Sequence, residues 1–196
     1  MHYKILHHST LYEGFFRLDK LKFEHEKFAG GMVKPQIREV LERGEAAAVI
    51  PYDPVRDEVI WIEQFRVGAL TAKLDPWLTE TVAGIVETGE SPVDVIYREA
   101  VEEAGCQIQE IEKITSYLVS PGITSEIVHL YCGKTNTSSI ARYHGLEHEG
   151  EDIKAHVLSF AESVKWYRQG RFNSAMPMLA IQWLMLNRDR LRARWV

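Results

Sequence analysis

Apolar and polar residues alternate along residues 10–28 through Phe16, Leu18, Leu21 and Phe23, the period-2 pattern of strands. Gly30-Gly31 marks a turn, and residues 35–43 read as a returning strand. A meander of about 45 residues has little core of its own. Residues 1–45 are therefore expected to form a small antiparallel β unit, packed on the main domain or on a second subunit. The main domain, 46–196, opens with a short buried strand at 46–53 and a turn around Asp53-Pro54 and Arg56-Asp57. A strand at 58–67, a loop at 71–77 and a third strand at 78–86 follow.

The next stretch reads as a helix by its local signals. Ser91 is a good N-cap, Pro92 falls at the first helical position, Asp94 gives capping-box spacing, and Gly105 supplies a left-handed C-cap. At about 100° per residue, Val93, Ile96, Tyr97, Ala100 and Ala104 share one arc and are expected to dock on the core. Glu99, Glu102 and Glu103 share the neighbouring arc. Beyond the helix, strands are expected at 108–119 and 125–135 with a break at 120–124, then a long polar loop at 135–152. A strand at 153–160 and a helix at 161–169 ended by Gly170 come next. The last helix is capped by Ser174, with Pro177 in its first turn. Between 175 and 186 only Gln182 is polar, so that helix should be buried nearly all round, or partly at a subunit interface. Such interleaving predicts an α/β fold, a mixed sheet with helices on both faces.

Composition narrows the function. A net charge of −5 argues against nucleic acid as a partner, because such proteins show a basic face. Two cysteines, Cys106 and Cys132, make no disulfide framework. No apolar run reaches about 18 residues, and the first ten residues lack a signal peptide's apolar core. A cytoplasmic protein without membrane contact is expected.

The acidic arc carries the chemistry. Carboxylates three and four residues apart repel one another, and a bound cation reverses that penalty; oxygen-rich clusters suit Mg²⁺ or Mn²⁺. By this reading Glu99 and Glu103, one turn apart, are bridging ligands, and the Ala83 carbonyl adds an oxygen. Glu102 is either a ligand or the partner of Arg98, four residues earlier. Metals held beside a glycine loop suit hydrolysis of a phosphoric anhydride, with a base to align or deprotonate the water.

Residues 84–106, GIVETGESPVDVIYREAVEEAGC, read Gly84, five residues, Glu90, seven residues, Arg98-Glu99, then Glu102-Glu103 and Gly105. This resembles the Nudix hydrolase signature G-x5-E-x7-R-E-U-x-E-E-x-G-U at every specified Gly, Glu and Arg; Ala100 and Cys106 stand at positions that normally hold bulkier apolar residues. The resemblance implies a Nudix α/β/α sandwich. Outside it, LYEGFF, IREVLERG, IEQFR, PWLTETVAG, SPGITSE and HGLEHEGEDI look like the bacterial ADP-ribose pyrophosphatases, and Pro121 lies sixteen residues after Gly105, as in the ADP-ribose-preferring branch. That resemblance implies Mg²⁺-dependent cleavage of ADP-ribose to AMP and ribose 5-phosphate by a homodimer with exchanged N-terminal units.

Carried over by position, the resemblance implies a metal set of the Ala83 carbonyl, Glu99, Glu103 and Glu151, with Glu149 as catalytic base. Because the loop departs from its relatives here, Glu147 and Glu151 stand as alternative bases. Arg66 matches a phosphate-binding residue. Phe15, Phe16, Arg38, Glu39 and Arg43 match adenosine-side positions. Ile85, Ser120, Pro121, Gly122 and Glu126 match the terminal-ribose side, while Glu90, Arg98 and Glu102 support the box. The same chemistry on GDP-mannose or ADP-glucose is the near alternative, and a non-catalytic nucleotide sensor the distant one.

Overall fold

Three antiparallel strands, β1 (Tyr3–Glu13), β2 (Arg17–His25) and β3 (Gln36–Glu42), form a sheet in that order in the computed structural model, which describes residues 1–196. The alternation at 10–28 does not mark one strand. The chain turns back at Gly14–Phe16, where the Gly14 N–H donates to the Phe16 carbonyl at 3.0 Å. Strand β1 starts well before the alternating stretch and is exposed on both faces, so no apolar periodicity betrays it. Buried Asp19 of β2 ties the hairpin together: it accepts from Thr10 Oγ1 at 2.9 Å and from Arg17 Nε at 3.0 Å. The unit formed by Met1–Glu45 also takes in Tyr117–Ile127. There Leu41 N–H donates to Ile123 O, and Ser125 N–H returns a bond to Leu41 O. The expected break at 120–124 is thus a docked turn.

The second unit, Ala46–Ser116 with Val128–Val196, is built on a mixed eight-stranded sheet. Its order is β10 (Tyr143–His144), β11 (Ile153–Ser159), β5 (Glu58–Phe65), β4 (Glu45–Asp53), β9 (Ile127–Lys134) and β8 (Glu110–Leu118), with β6 (Trp77–Glu80) on β5 and β7 (Val82–Ile85) on β4. The strand expected at 78–86 is therefore two. Strands β4 and β5 pair beside their turn, at Tyr52–Val59 and Asp53–Glu58, and then splay. One continuous segment fills the gap, pairing first with β5 and, past Thr81, with β4. A short helix, α1 (Val67–Thr71), replaces the expected strand end and loop.

Helix α2 (Pro92–Ala104) covers one face of the sheet. Val95, Ile96, Ala100 and Ala104 pack with Ala47, Val49, Ile60, Ile62, Val82 and Ile153. Trp61, pointing the other way from its neighbours along β5, meets Phe172 at 4.3 Å between ring centres and donates from its indole to Ser163 Oγ at 3.0 Å. Ser163 belongs to α3 (Phe160–Arg168), so helices lie on both faces. The docking arc of α2 is rotated from the expected one: Tyr97 is exposed, Val95 takes its place, and Glu103 joins the buried side.

Helix α4 (Ala175–Trp195) is not buried all round. Pro177, Ala180, Ile181, Leu184, Leu191 and Trp195 are buried at helical spacing, while Leu186 is 86% exposed. Ser174 is the N-cap residue, but its hydroxyl accepts no capping bond. The third helical residue is Pro177, which has no N–H to donate. No helix is long and apolar enough to cross a membrane. Replacing Ser163 with alanine leaves the buried Trp61 indole N–H without an acceptor, and should cost about 1–3 kcal/mol, read as a melting temperature several degrees lower.

Candidate active site

The capping box forms as the sequence predicts: Ser91 Oγ accepts from Asp94 N–H, and Asp94 Oδ2 accepts from Ser91 N–H, both at 3.2 Å. Gly105 ends α2 at φ 58°, a left-handed conformation that glycine adopts without strain. These ends hold Glu99 and Glu103 one turn apart beside β7. Glu103 is buried and accepts from the Ala83 N–H at 2.9 Å. At Gly84 the approach is closer still, since a Cβ there would run into the Glu99 carboxylate. The glycine at that position serves proximity rather than turning.

Burial pushes the Glu99 carboxyl up to about 7, against the pull of Arg98, and the charges of Glu102 and Glu151 add to the rise. Burial likewise pushes Glu103 up to about 8; the Ala83 N–H and Arg66 oppose this, and Glu99 and Glu151 reinforce it. Three carboxylates from α2 and the long loop thus share one electrostatic neighbourhood. No three acidic, His or Cys side chains are drawn together into a ligand set in this arrangement. Each carboxylate turns instead to a donor of its own: Glu99 to Arg98 Nη1 at 2.8 Å, Glu103 to Ala83, and Glu151 to the Leu146 N–H at 3.1 Å. Carboxylate oxygens are hard donors of the kind that divalent cations such as Mg²⁺ take.

Arg98 is the organiser of the box. It donates to Glu90 from Nε and Nη2 at 3.2 and 3.3 Å, and to Glu99 and Glu102 from Nη1. Glu102 is therefore an Arg98 partner in this structure. The 135–152 segment is not a bare loop: it holds β10 and a 3₁₀ turn at Glu147–Glu149, and Gly145 N–H donates to the Glu102 carbonyl at 3.1 Å. Glu149 is exposed and lies 3.7 Å from His148 Nε2; Glu147 is also exposed. Arg66 donates to Glu80 Oε2 at 2.7 Å. Sequence reading missed Glu80, because nothing in a strand's alternation reports which arginine it faces. Ile85 ends β7, half-buried.

The other candidates belong to the first unit. Phe15, 83% exposed, stands edge-on to Phe16 at 4.7 Å; the Arg43 guanidinium lies 5.4 Å from the Phe16 ring centre and 3.1 Å from Glu126 Oε1. Arg38, Pro121 and Gly122 line an apolar cavity of about 420 Å³ with Tyr3, Ile5 and Phe23. The Ser120 carbonyl accepts from Ile123 and Thr124, closing the turn. Glu39 lies exposed on β3.

The model of the NUDIX domain matches residues 42–174. The chain is 43% identical over 192 residues to the ADP-ribose pyrophosphatase of Escherichia coli (strain K12), covering 98% of this chain and 92% of that one. It is 42% identical over 195 residues to the ADP-ribose pyrophosphatase of Haemophilus influenzae, covering 98% and 90%. A GDP-mannose pyrophosphatase from Cronobacter sakazakii is 32% identical over 184 residues, covering 93% and 95%. Among solved structures, an ADP compounds hydrolase superimposes with a TM-score of 0.74 at 20% identity over 99% of this chain and 96% of that one, a likeness of fold. The chain belongs to the NUDIX family of hydrolases, in the group of the ADP-ribose pyrophosphatases.

Proposed function

We propose that this chain hydrolyses the diphosphate of ADP-ribose to AMP and ribose 5-phosphate with Mg²⁺, or Mn²⁺ in its place. The observation that carries the reading is that Glu99, Glu103 and Glu151 share one electrostatic neighbourhood beside the Gly84 strand. Identity of 43% to an ADP-ribose pyrophosphatase, against 32% to a GDP-mannose pyrophosphatase, supports the choice of substrate.

Glu99, Glu103, Glu151 and the Ala83 carbonyl are assigned as the residues that hold metal. When bound, the metal shields the diphosphate, lowers the pKa of water and steadies charge on the leaving oxygen. The chain's own residues supply the rest. Arg98 holds Glu90, Glu99 and Glu102 in place. Arg66 offers a guanidinium fork to phosphate oxygens, exchanging its bond to Glu80. Glu149 is assigned as the base: its carboxylate has no backbone donor to hold it, whereas Glu151 is held by Leu146 N–H. It takes a proton from the water whose oxygen bonds to phosphorus as the anhydride P–O bond breaks, leaving AMP and ribose 5-phosphate.

Phe15, Phe16, Arg38, Glu39 and Arg43 are assigned to the adenosine side, and Ile85, Ser120, Pro121, Gly122 and Glu126 to the terminal ribose. A homodimer with exchanged N-terminal units is proposed for the whole. The exposed apolar side chains of β1, Tyr3 and Ile5 among them, support it. Two free, buried cysteines fit a reducing, cytoplasmic setting.

AMP release from ADP-ribose should require a divalent metal. EDTA should abolish it, and Glu103→Gln should lower kcat by about 10²-fold or more; full activity in either case removes the metal assignment. In steady-state kinetics Glu149→Gln should lower kcat by about 10²–10⁴-fold with substrate affinity nearly unchanged. A larger kcat loss in Glu151→Gln at unchanged metal affinity would exchange the two roles. Side-by-side rates should favour ADP-ribose over GDP-mannose and ADP-glucose; a preference for either of the latter refutes the substrate.

A further inference from the structure

Strand β5 sends alternate side chains to opposite faces of the sheet. Ile60 and Ile62 join the cluster beneath α2, so Gln64 is directed to the same face. Arg66 continues it, because its backbone is still extended at φ −124°, ψ 110°. The neighbouring strands fix what surrounds Gln64. On β6, Leu78 is opposite Gln64 and Glu80 is opposite Ile62. On β11, Lys154 pairs with Glu63, so the chain entering β11 from Glu151 runs alongside Gln64. The carboxamide therefore lies on the α2 face between Arg66, Glu80 and the approach to Glu151.

Gln64 is 7% exposed, and its Nε2 is buried with no hydrogen-bond partner. A buried amide N–H without an acceptor is costly and rare. Among the other orphaned atoms, Ser174 Oγ is accounted for by the missing N–H of Pro177. Gln64 Nε2, like Thr81 Oγ1 and Trp195 Nε1, has no such local explanation. The carboxylates of this region each have another donor: Glu80 has Arg66, Glu103 the Ala83 N–H, and Glu151 the Leu146 N–H. An N–H donor also has no use for a cation. An oxygen arriving with the ligand, beside the guanidinium of Arg66, would supply the missing acceptor.

We propose that Gln64 is a substrate-positioning residue whose Nε2–H donates to a phosphate oxygen of the bound nucleoside diphosphate sugar, next to Arg66. The proposal rests on the diphosphatase reading above. A neutral donor adds no charge to a site where charge is set by metal and arginine. It responds to where the phosphate oxygen sits, so its loss misplaces the diphosphate and weakens binding.

The test uses the full-length chain with Mg²⁺ and three readouts: melting temperature without ligand, Kd for the non-hydrolysable α,β-methylene ADP-ribose, and kcat/KM on ADP-ribose. Gln64→Met keeps the side chain's length and removes the orphaned donor. It should raise the melting temperature by about 2–6 °C while weakening analogue binding and lowering kcat/KM by about 10- to 100-fold. A residue that is merely structural would not move stability and affinity in opposite directions. Gln64→Asn, which keeps the amide but withdraws it by one methylene, should also lose affinity and guards against a poorly folded methionine variant. Analogue affinity within twofold of wild type in either folded variant overturns the proposal. Wild-type protein that binds the analogue but releases no AMP from ADP-ribose overturns the diphosphatase reading instead, and the Kd ratio still decides the role of Gln64. Wild-type protein that does not bind the analogue overturns both.

Discussion

Helix α2 approaches strand β7 so closely at Gly84 that the Glu99 carboxylate occupies the space a Cβ would need, and the chemistry of the site descends from that approach. It turns Glu103, one helical turn on, into the buried side of the helix and under the Ala83 N–H. Two carboxyls are thereby removed from water, and desolvation disfavours their charged forms. The protein offsets part of this with one backbone bond and the Arg98 guanidinium. The remainder persists as raised pKa values at Glu99 and Glu103, so that protons compete with any incoming cation there.

The same helix also places the long loop. Its C-terminal end receives Gly145 N–H at the Glu102 carbonyl, and the two residues of β10 anchor the segment on β11. Between those ties the chain presents Glu147, Glu149 and Glu151 in different states. Glu151 is held by a backbone donor and contributes its field to Glu99 and Glu103, whereas Glu149 remains exposed. A division between a carboxylate that is fixed and one that is free to meet water follows from backbone geometry, since the residue type is the same.

Legibility differed from element to element for identifiable reasons. The capping box and Gly105 end of α2 were readable because their partners lie within four residues, so the chain's local order determines them. Strand β1 was not, because both its faces are exposed and no alternation is required of it. The division of 78–86 into β6 and β7 was hidden for another reason: a change of pairing partner at Thr81 leaves the apolar pattern of one strand intact. Helix α4 looked apolar all round, yet Leu186 faces outward; composition reports what a helix can bury, and packing selects the stripe that it does.

The spacing from Gly84 to Gly105 was enough to point to the reaction class through its resemblance to the Nudix signature, and the arc and caps of that helix are local properties. Only the tertiary structure decided which edge of that arc is buried, which donor each carboxylate turns to, and that Gln64 lies on the same face as Arg66 with its N–H unmatched. Those depend on which strands become neighbours, and contacts between residues distant along the chain are settled by packing rather than by any short-range rule.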